Sequence, residues 1–412
     1  MLYERWREVA RARGAEAALR DVPEGRAWTF AQLLDWSDRC EAPAGPWVFP
    51  RGMGAEFVLE VLRGWRHGRV ICPLEEYDAA PDLPKPPKEI AHLKRTSATT
   101  GAARFVAFTA EQLAADPANI AATMGLRPGW PNIGVISLAH SYGFSNLVLP
   151  LLLQGIPLWL LKSPLPEPLR QLCAGGGEFA LAGVPVMWRV WHEAGAILPN
   201  VRLAISAGAP LPLALERGAF EMSGVKIHNF LGSSECGGIA YDRTATPRTD
   251  AAMAGTALEN VSISAVDGML EVRGPAVGEG YWPEARTELG GGVFRTGDLV
   301  EIRERQLFMR GRATDVIHVA GRKVAPEEIE RAIMACAGVR ECLVFDAPRG
   351  EENQIVAVVV GGDEGCVRSS LRLPTWQIPR VWFFLPSLAA NERGKVSRAR
   401  WREKFTAGDL TK

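Results

Sequence analysis

The chain has 412 residues, of which 47% are hydrophobic, and this is enough to bury one large core with a smaller domain beside it. Its 47 basic residues balance 47 acidic ones, so no net charge would steer nucleic acid or an anionic membrane surface to it. These values exclude a strongly basic nucleic-acid binder and favour a protein that acts on a small molecule, with any phosphate site built locally.

Three features of the sequence predict the cellular location of the protein. Residues 1–20 are rich in Arg and Glu where a signal peptide would need an apolar run, so they predict an amphipathic surface helix. Residues 147–161 are the most apolar segment, but Pro, Gln and Gly interrupt them below about 18 unbroken apolar residues, which predicts a buried core element and no membrane span. The seven cysteines are scattered and lack C-x-x-C spacing, which predicts reduced thiols and a cytoplasmic location.

Short apolar runs alternate with helical patterns and Gly/Pro turns over the first three hundred or so residues. Buried strands are predicted at residues 133–138, 201–206 and 225–230. This alternation is typical of an α/β fold.

After Arg312 the same pattern restarts as a separate unit. We predict a strand near residues 315–319, a helix opened by Pro326, and two strands at 342–345 and 355–360. The chain therefore divides, by this prediction, into a large domain, residues 1–310, and a small α/β domain, residues 311–412.

A polar loop at residues 96–104 brings four hydroxyls, a glycine and a cation together in nine positions without a carboxylate. Such a loop offers side-chain and backbone donors to a phosphate group and no charge repulsion. It differs from the G-x-x-x-x-G-K-[ST] loop of the common NTPases, and a Ser/Thr-rich surface turn is the alternative interpretation. The candidate phosphate ligands are Thr96, Ser97, Thr99, Thr100, Gly101 and Arg104.

Glu235 comes shortly after the predicted strand at 225–230. Ligands of open α/β sheets bind at the carboxyl ends of strands, and a hard cation such as Mg²⁺ takes oxygen ligands. We therefore predict that Glu235 lies at a ligand site, with a loop acid in a salt bridge as the alternative. The other residues predicted at this ligand site are Phe230, Leu231, Gly232, Ser233 and Ser234.

Three further segments carry a family resemblance. Residues 294–300 read Phe-Arg-Thr-Gly-Asp-Leu-Val, residues 311–315 read Gly-Arg-Ala-Thr-Asp, and Gly394 precedes Lys395. In order and spacing these segments resemble the adenylate-forming superfamily, which contains acyl- and aryl-CoA synthetases, luciferases and nonribosomal adenylation domains. The resemblance covers nearly the whole chain, although the chain is shorter than family members usually are. It implies a large N-terminal domain of α/β subdomains with a distorted β-barrel, and a small mobile α/β C-terminal domain.

The resemblance makes residues 96–104 the family's phosphate loop, with three departures. Ala98 stands where the family has Gly, Ala103 where it has Pro, and Arg104 where it has Lys. Ala98 restricts backbone freedom that Gly would allow. Arg104 keeps the positive charge but has a planar guanidinium in place of the compact ammonium of Lys.

The resemblance also gives roles around Mg²⁺ and adenine. Glu235 matches the family's ligand for the magnesium that accompanies ATP, and Ser234 matches a phosphate contact. Leu231 replaces an adenine-stacking Tyr, which removes an aromatic contact worth about 1 kcal/mol. A small-residue turn matches the family's adenine-binding turn, although a plain strand-to-helix turn explains it equally well; its residues are Gly208, Ala209 and Pro210.

Asp298 matches the family's acceptor for both ribose hydroxyls, a role that suits a carboxylate because it has two acceptor oxygens and no donor. Arg312 matches a ribose contact, and Thr314 lies at the hinge position, where Asp or Lys is usual. A turn-forming Gly-Asp pair is the alternative interpretation of Asp298.

Lys395 is the principal catalytic candidate by this resemblance. It matches the lysine that reaches the acyl carboxylate and the α-phosphate, where a cation neutralises charge that builds up in the transition state; a solvated surface lysine is the alternative. His140, in residues 139–143, matches a histidine beside the carboxylate site, and a satisfied core histidine is its alternative. No Asp occurs in that segment to hold an ammonium group, so we predict a substrate without an α-amino group.

The implied reaction joins a small-molecule carboxylic acid, fatty or aryl, to AMP from ATP, and then passes the acyl group to a thiol. That thiol belongs to CoA or to the phosphopantetheine of an acyl carrier protein, and the small domain rotates between the two steps. An enzyme that stops at the adenylate or activates amino acids is one alternative. A degenerate, non-catalytic acyl-binding relative is another, favoured by the departures at Ala98, Ala103, Leu231 and Thr314.

Overall fold

The computed structural model describes residues 1–96, 104–284, 286–319, 321–349, 352–388 and 396–410. The chain divides into two compact units. The first consists of Met1–Ser264, Glu271–Thr296 and Arg303–Leu307, and the second of Ala265–Leu270, Gly297–Ile302 and Phe308–Lys412. The domain boundary at residues 310 and 311 stays a prediction.

The first unit is a mixture of helices and strands. Its helices are α1 (Leu2–Arg13), α2 (Phe30–Arg39), α3 (Ala55–Arg66), α4 (Ala110–Met124), α5 (Ser141–Gly143), α6 (Leu149–Gln154), α7 (Pro166–Ala174), α8 (Pro185–Glu193) and α9 (Leu213–Ser223). Its strands begin with β1 (Ala17–Asp21), β2 (Arg26–Thr29), β3 (Trp47–Val48), β4 (Val70–Ile71), β5 (Ile90–Arg95), β6 (Phe105–Thr109), β7 (Asn132–Gly134), β8 (Leu158–Leu160), β9 (Phe179–Gly183), β10 (Val201–Ser206), β11 (Ile227–Ser233), β12 (Gly237–Tyr241) and β13 (Met253–Ala257).

Six more strands follow in the chain. Four of them contribute residues to both units, and β16 and β17 belong to the first unit. They are β14 (Ser262–Val266), β15 (Met269–Arg273), β16 (Gly280–Trp282), β17 (Leu289–Gly290), β18 (Val293–Arg303) and β19 (Gln306–Arg312).

The largest sheet of the first unit has the strand order β13-β12-β11-β10-β9-β7-β8-β1-β2. Its centre, β8-β7-β9-β10-β11, is parallel, and β9 is buried along its whole length, as strands covered on both faces are. Ser206 at the end of β10 is in register with Gly183 of β9 and with Asn229 of β11. The carboxyl ends of these strands therefore meet at one edge of the sheet.

A second sheet of the first unit has the order β16-β6-β5-β4-β3. Strands β5 and β6 form an antiparallel pair on either side of residues 96–104, and β16 lies antiparallel on the other side of β6. The sheet thus presents both ends of the predicted phosphate loop and one further strand next to them.

The predicted strand at 201–206 is confirmed as β10, whereas the one at 133–138 is shorter and the one at 225–230 is shifted to β11. Strand β7 ends at Gly134 because the chain then turns: the Ser137 hydroxyl accepts a hydrogen bond from the Ala139 backbone N–H over 3.2 Å. A hydroxyl that bonds its own local backbone competes with a strand ladder. The turn carries the chain to His140.

The apolar segment 147–161 is confirmed as a core element. It contains α6 and β8, and most of its side chains are fully buried. No helix within the described ranges is long and apolar enough to cross a membrane.

The second unit contains a small sheet in the order β22-β23-β24 and a two-stranded ribbon, β20-β21. The helix predicted from Pro326 is confirmed, and the two predicted strands are longer than expected. The elements are β20 (Ile317–Val319), β21 (Arg322–Val324), α10 (Pro326–Met334), β22 (Val339–Arg349), β23 (Glu352–Gly361), α11 (Glu364–Ser370), β24 (Val381–Leu385) and α12 (Arg398–Ala407).

Helices α10 and α12 cover opposite faces of this small sheet. Val344 packs in a cluster with Ile329 of α10, while its neighbour Phe345 packs in another with Trp401 of α12. Successive residues of a strand point to opposite faces, so the short apolar run at residues 342–345 of β22 follows from burial on both sides.

Candidate active site

The two described ends of the loop predicted to bind phosphate, Thr96 and Arg104, meet beside the paired strands β5 and β6. Arg95 pairs with Phe105, and the Thr96 backbone N–H donates to the Arg104 carbonyl over 2.8 Å. The Thr96 hydroxyl donates to the same carbonyl over 3.3 Å. The ends of the loop are therefore held together, and the remaining candidates lie outside the described residues: Ser97, Thr99, Thr100 and Gly101.

Glu235 lies in the turn between β11 and β12. Its backbone N–H donates to the Ser233 hydroxyl over 3.2 Å, and its carbonyl accepts from the Gly278 backbone N–H over 2.9 Å. The backbone of Glu235 is thus fixed on both sides. Ser233, one of the predicted nucleotide-binding residues, thus uses its hydroxyl inside the turn.

The carboxylate of Glu235 has a partner that the sequence did not reveal. Tyr281 of β16 donates its phenolic hydrogen to Glu235 Oε1 over 3.1 Å. Burial, reinforced by the charge of Glu235, raises the pKa of Tyr281 above its ordinary value, so the phenol stays protonated and remains a donor. Tyr281 lies 46 residues further along the chain, beyond any local pattern around Glu235.

Strand β16 brings this tyrosine to the phosphate loop. Tyr281 is in register with Val106 of β6, and Val106 is two residues beyond Arg104. The Glu235 turn and the end of the loop at residues 96–104 are therefore neighbours within the first unit, although about 130 residues separate them in the chain.

A buried ion pair connects the same segments from the interior. Lys94 Nζ lies 3.3 Å from Asp116 Oδ2, with both side chains 2% exposed, and it donates to the Ser145 hydroxyl over 3.0 Å. Asp116 Oδ1 accepts from the Gly238 backbone N–H over 3.0 Å. Because a charge this deep needs a partner, the pair ties β5, α4 and β12 together next to Thr96.

Gly237 shows how tightly this connection is packed. It has φ +69°, and a Cβ there would lie 2.1 Å from Asp116 Oδ1. We expect Gly237→Ala to cost about 1 to 2 kcal/mol for the left-handed backbone and about 1 to 3 kcal/mol more for overpacking. Gly125→Ala is the control, since Gly125 has φ +66° with no atom within 4 Å of its Cβ. Urea unfolding checks this prediction, and equal costs at the two glycines would contradict it.

His140 faces a second residue that sequence reasoning missed. Its Nε2 lies 3.0 Å from Glu75 Oε1, and its side chain is 42% exposed, so it is not enclosed in the core. Glu75, which follows β4, also accepts a hydrogen bond from the Ser137 hydroxyl over 2.6 Å. A carboxylate that accepts a hydrogen bond from a histidine fixes the orientation of the ring.

Tyr142 places the His140 segment at the edge where β9, β10 and β11 end. Its hydroxyl donates to the carbonyls of Gly183, over 3.4 Å, and Ile205, over 3.2 Å. Its ring centre lies 6.1 Å from that of Phe230. Burial raises the pKa of Tyr142, so this hydroxyl also remains a donor.

The turn predicted to lie against adenine follows β10 directly. Gly208, Ala209 and Pro210 are exposed, as expected for residues open to a ligand. Gly208 has φ +84°, and a Cβ there would meet only Val184 Cγ1, at 3.6 Å. Glycine is therefore required for its backbone conformation and not for space.

In the second unit, two of the predicted nucleotide contacts lie together. Arg312 Nε donates to Asp298 Oδ1 over 3.1 Å, and the Asp298 side chain is largely buried. The hinge candidate Thr314 donates to Asp315 Oδ1 over 3.2 Å. The predicted ribose acceptor is thus held by a cation that was itself predicted from the sequence.

Lys395 lies outside the described residues, but the chain that follows it is firmly attached in the second unit. Arg398, the first residue of α12, contacts Asp315 Oδ2 at 2.7 Å, Glu327 Oε1 at 2.8 Å and Glu330 Oε2 at 2.8 Å. Burial raises the pKa of Glu330 although Arg398 opposes the shift. Arg398 therefore connects the segment after Lys395 to the residue after Thr314.

No group of three or more His, Cys, Asp or Glu side chains that could hold a metal occurs in the described part of the chain. Glu235 fits a cation that arrives with its own phosphate ligands, because one protein carboxylate can then suffice. Its Oε1 accepts from Tyr281, and Oε2 has no hydrogen-bond partner among the residues that the structure describes. This is a suitable arrangement for Mg²⁺ bound together with ATP.

Two CoA ligases are similar to this chain in sequence. Anthranilate–CoA ligase of Pseudomonas aeruginosa is 28% identical over 354 residues, which are 77% of this chain and 67% of the relative. Long-chain-fatty-acid–CoA ligase FadD13 of Mycobacterium tuberculosis is 28% identical over 258 residues, 58% of this chain and 51% of the relative. The chain thus spans about half to two thirds of the length of these relatives.

A solved structure and a family model also match this chain. ATP-bound MatB from Rhodopseudomonas palustris has a TM-score of 0.85 with this chain at 21% identity, covering 98% of this chain and 99% of that one. This likeness confirms the predicted α/β fold. A family model described as AMP-binding enzyme matches residues 55–282, more than half of the chain. The chain therefore belongs to the AMP-binding enzyme family, and the two relatives named above are acid–thiol ligases.

Proposed function

We propose that this protein activates a fatty or aryl carboxylic acid with ATP and transfers the acyl group to a thiol. One carboxylate oxygen attacks the α-phosphorus of ATP and pyrophosphate leaves; a thiol sulfur then attacks the acyl carbon and AMP leaves. The observation that supports this most strongly is the register of β6 with β16, through which the Glu235 turn lies beside the end of the loop at 96–104.

The first unit supplies the groups for phosphate, metal and acid. Thr96, Arg104 and the intervening hydroxyls donate to phosphate oxygens. Glu235 holds Mg²⁺, which neutralises phosphate charge when it is bound. His140, oriented by Glu75, lies beside the acid's carboxylate.

The second unit supplies Asp298 and Arg312 for the ribose and Lys395 for the transition state. We propose that residues 311–412 act as a mobile domain that turns about Arg312 to Thr314 between the two half-reactions. Lys395 then serves the first step and is withdrawn for the second.

The proposal also includes the thiol that accepts the acyl group and the cellular location of the protein. Both named relatives are CoA ligases, which favours CoA, and the phosphopantetheine of an acyl carrier protein is the second candidate. Their names also include an aromatic and a long-chain acid, in agreement with an aryl or fatty substrate. A cytoplasmic location is supported by seven cysteines that are all free thiols.

A pyrophosphate-release screen with fatty, aryl and amino acids tests the first step. We expect release with fatty or aryl acids and not with amino acids. The same reactions with CoA or a loaded carrier protein, followed by mass spectrometry of the thioester, identify the acceptor. Tight acyl binding by calorimetry without ATP binding would instead establish a non-catalytic relative.

Asp298→Asn tests the ribose contact. The amide keeps the shape but loses the charge and one acceptor oxygen, and a hydrogen bond to a charged group is worth about 1.5 to 3 kcal/mol. We therefore expect KM for ATP to rise about tenfold or more, with KM for the acid unchanged. Asp267→Asn, an exposed carboxylate of the same unit, is the control. Equal KM values for ATP in both variants would contradict the assignment.

A further inference from the structure

The contact between Tyr281 and Glu235 joins two segments whose backbones are already fixed. Tyr281 lies in β16, which pairs with β6 through Gly280, Tyr281 and Trp282. Glu235 is anchored at its N–H by Ser233 and at its carbonyl by Gly278. The 3.1 Å hydrogen bond between phenol and carboxylate therefore determines only where the Glu235 side chain points.

That direction matters for a carboxylate that binds a metal. A free glutamate side chain loses rotamer entropy when it is immobilised, and a side chain held in advance does not incur this cost on binding. Within the described residues, Tyr281 is the hydrogen-bonding partner of the Glu235 carboxylate, and it engages Oε1 alone.

The hydroxyl is not needed to hold the fold together. Both side chains are half-buried, so each can be hydrated if the other is removed. The aromatic ring and the strand pairing of β16 do not depend on the hydroxyl. Because water competes for both groups in such a partly exposed place, this hydrogen bond contributes less to stability than a buried one, and we assign its effect to orientation.

We propose, on the basis of the function proposed above, that Tyr281 is a positioning residue for the metal-binding carboxylate. It holds Glu235 Oε1 and directs Oε2 toward the Mg²⁺ that accompanies ATP. Partners that hydrogen-bond to a ligating carboxylate change metal affinity by about 10- to 100-fold when they are removed.

Tyr281→Phe removes the hydroxyl and keeps the ring, and Tyr77→Phe is the control because Tyr77 is 95% exposed. Binding of Mn²⁺ in the presence of α,β-methylene-ATP is measured from the EPR signal of the free ion, which does not require turnover. The Mg²⁺ concentration for half-maximal pyrophosphate release and the melting temperature are measured on the same samples.

We expect Tyr281→Phe to weaken Mn²⁺ binding and to raise the half-saturating Mg²⁺ concentration about tenfold. Saturating Mg²⁺ should restore kcat to near wild type, with KM for the acid and the melting temperature unchanged. Unaltered metal dependence, or a loss of kcat that excess Mg²⁺ does not restore, would overturn the inference.

Glu235→Gln separates this inference from the proposed function. If Glu235→Gln abolishes Mn²⁺ binding while Tyr281→Phe leaves it intact, the metal role of Glu235 stands and the positioning role of Tyr281 fails. If Glu235→Gln itself binds Mn²⁺ as the wild type does, the metal role assigned under the proposed function fails, and the inference with it.

Discussion

Replacing Lys395 by alanine is expected to lower the rate of acyl-adenylate formation at least about a hundredfold while the fold remains intact. In this step one anion, the carboxylate, attacks another, the α-phosphate, so negative charge accumulates between them. A single positioned donor at such a place is commonly worth a hundredfold to a thousandfold in rate. A methyl group in place of the ammonium leaves that charge without a partner.

The two half-reactions distinguish this role from a general loss of function. Pyrophosphate release from acid and ATP should fall in Lys395→Ala, whereas thioester formation from a supplied acyl-adenylate should continue. Both are single-turnover measurements on the same preparation. A variant that loses both half-reactions equally, or neither, would contradict the assignment.

Lys404→Ala is the control for charge. Lys404 lies on α12, nine residues after Lys395, and its Nζ is 5.2 Å from the centre of the Trp401 ring. It carries the same charge in the same unit without a predicted catalytic role. Wild-type rates in Lys404→Ala, together with slow adenylation in Lys395→Ala, would attribute the effect to position 395.

The local patterns of the sequence single out candidate site residues, but they do not predict the contacts that hold those residues. Asp298 and Arg312 were both predicted, and the structure brings them within 3.1 Å. Glu235 was predicted from the strand before it, and it lies in the turn after β11. A motif identifies these residues because their chemistry is local to a few neighbouring positions.

The partners of the same residues could not be predicted. Glu75 lies 65 residues before His140, and Tyr281 lies 46 residues after Glu235. Each contact depends on which strands become neighbours, and neither sequence composition nor periodicity determines that order. Helix α10 could be predicted from the sequence because Pro326 and the acidic residues beside it are a local signal for the start of a helix.

Four buried charged side chains form a group whose disruption should strongly lower the free energy of unfolding. Lys226 Nζ donates to Glu216 Oε1 and to Asp242 Oδ2, each over 2.6 Å. Arg248 Nε donates to Glu216 Oε2 over 2.9 Å. Two positive and two negative side chains thus balance in the interior, where an unpaired charge would be costly.

Replacing Lys226 by methionine is expected to lower the free energy of unfolding by about 3 to 5 kcal/mol, because it leaves Asp242 buried without its cation. This is a large part of the stability of an ordinary domain, about 5 to 15 kcal/mol. Arg202→Met is the control. It breaks a 2.8 Å pair with Glu178 in which both side chains are about half exposed, and it should cost less than about 1 kcal/mol.

The loss of stability caused by Lys226→Met is expected to become smaller at low pH. Burial opposes the charged form of Asp242, but hydrogen bonds from Lys226 and Thr244 outweigh it and hold the pKa of Asp242 below its ordinary value. Because the pKa of Asp242 is lower in the folded state, its ionised carboxylate stabilises the fold at pH values above about 3.9, the ordinary pKa of an Asp in an unfolded chain. This stabilisation is lost as the pH falls through the pKa that Asp242 has in the folded state. The difference between wild type and Lys226→Met should therefore shrink below about pH 4.

The four charges lie at the opposite end of the hairpin from the site. Lys226 precedes β11 and Asp242 follows β12, while Glu235 occupies the turn between the two strands. Lys226→Met should thus lower stability without changing KM for ATP in the fraction that stays folded. Lys226→Met combined with Asp242→Asn restores the balance of charge and should recover part of the loss. Urea unfolding of both variants measures this, and an additive double variant would mean that the pair does not act as one unit.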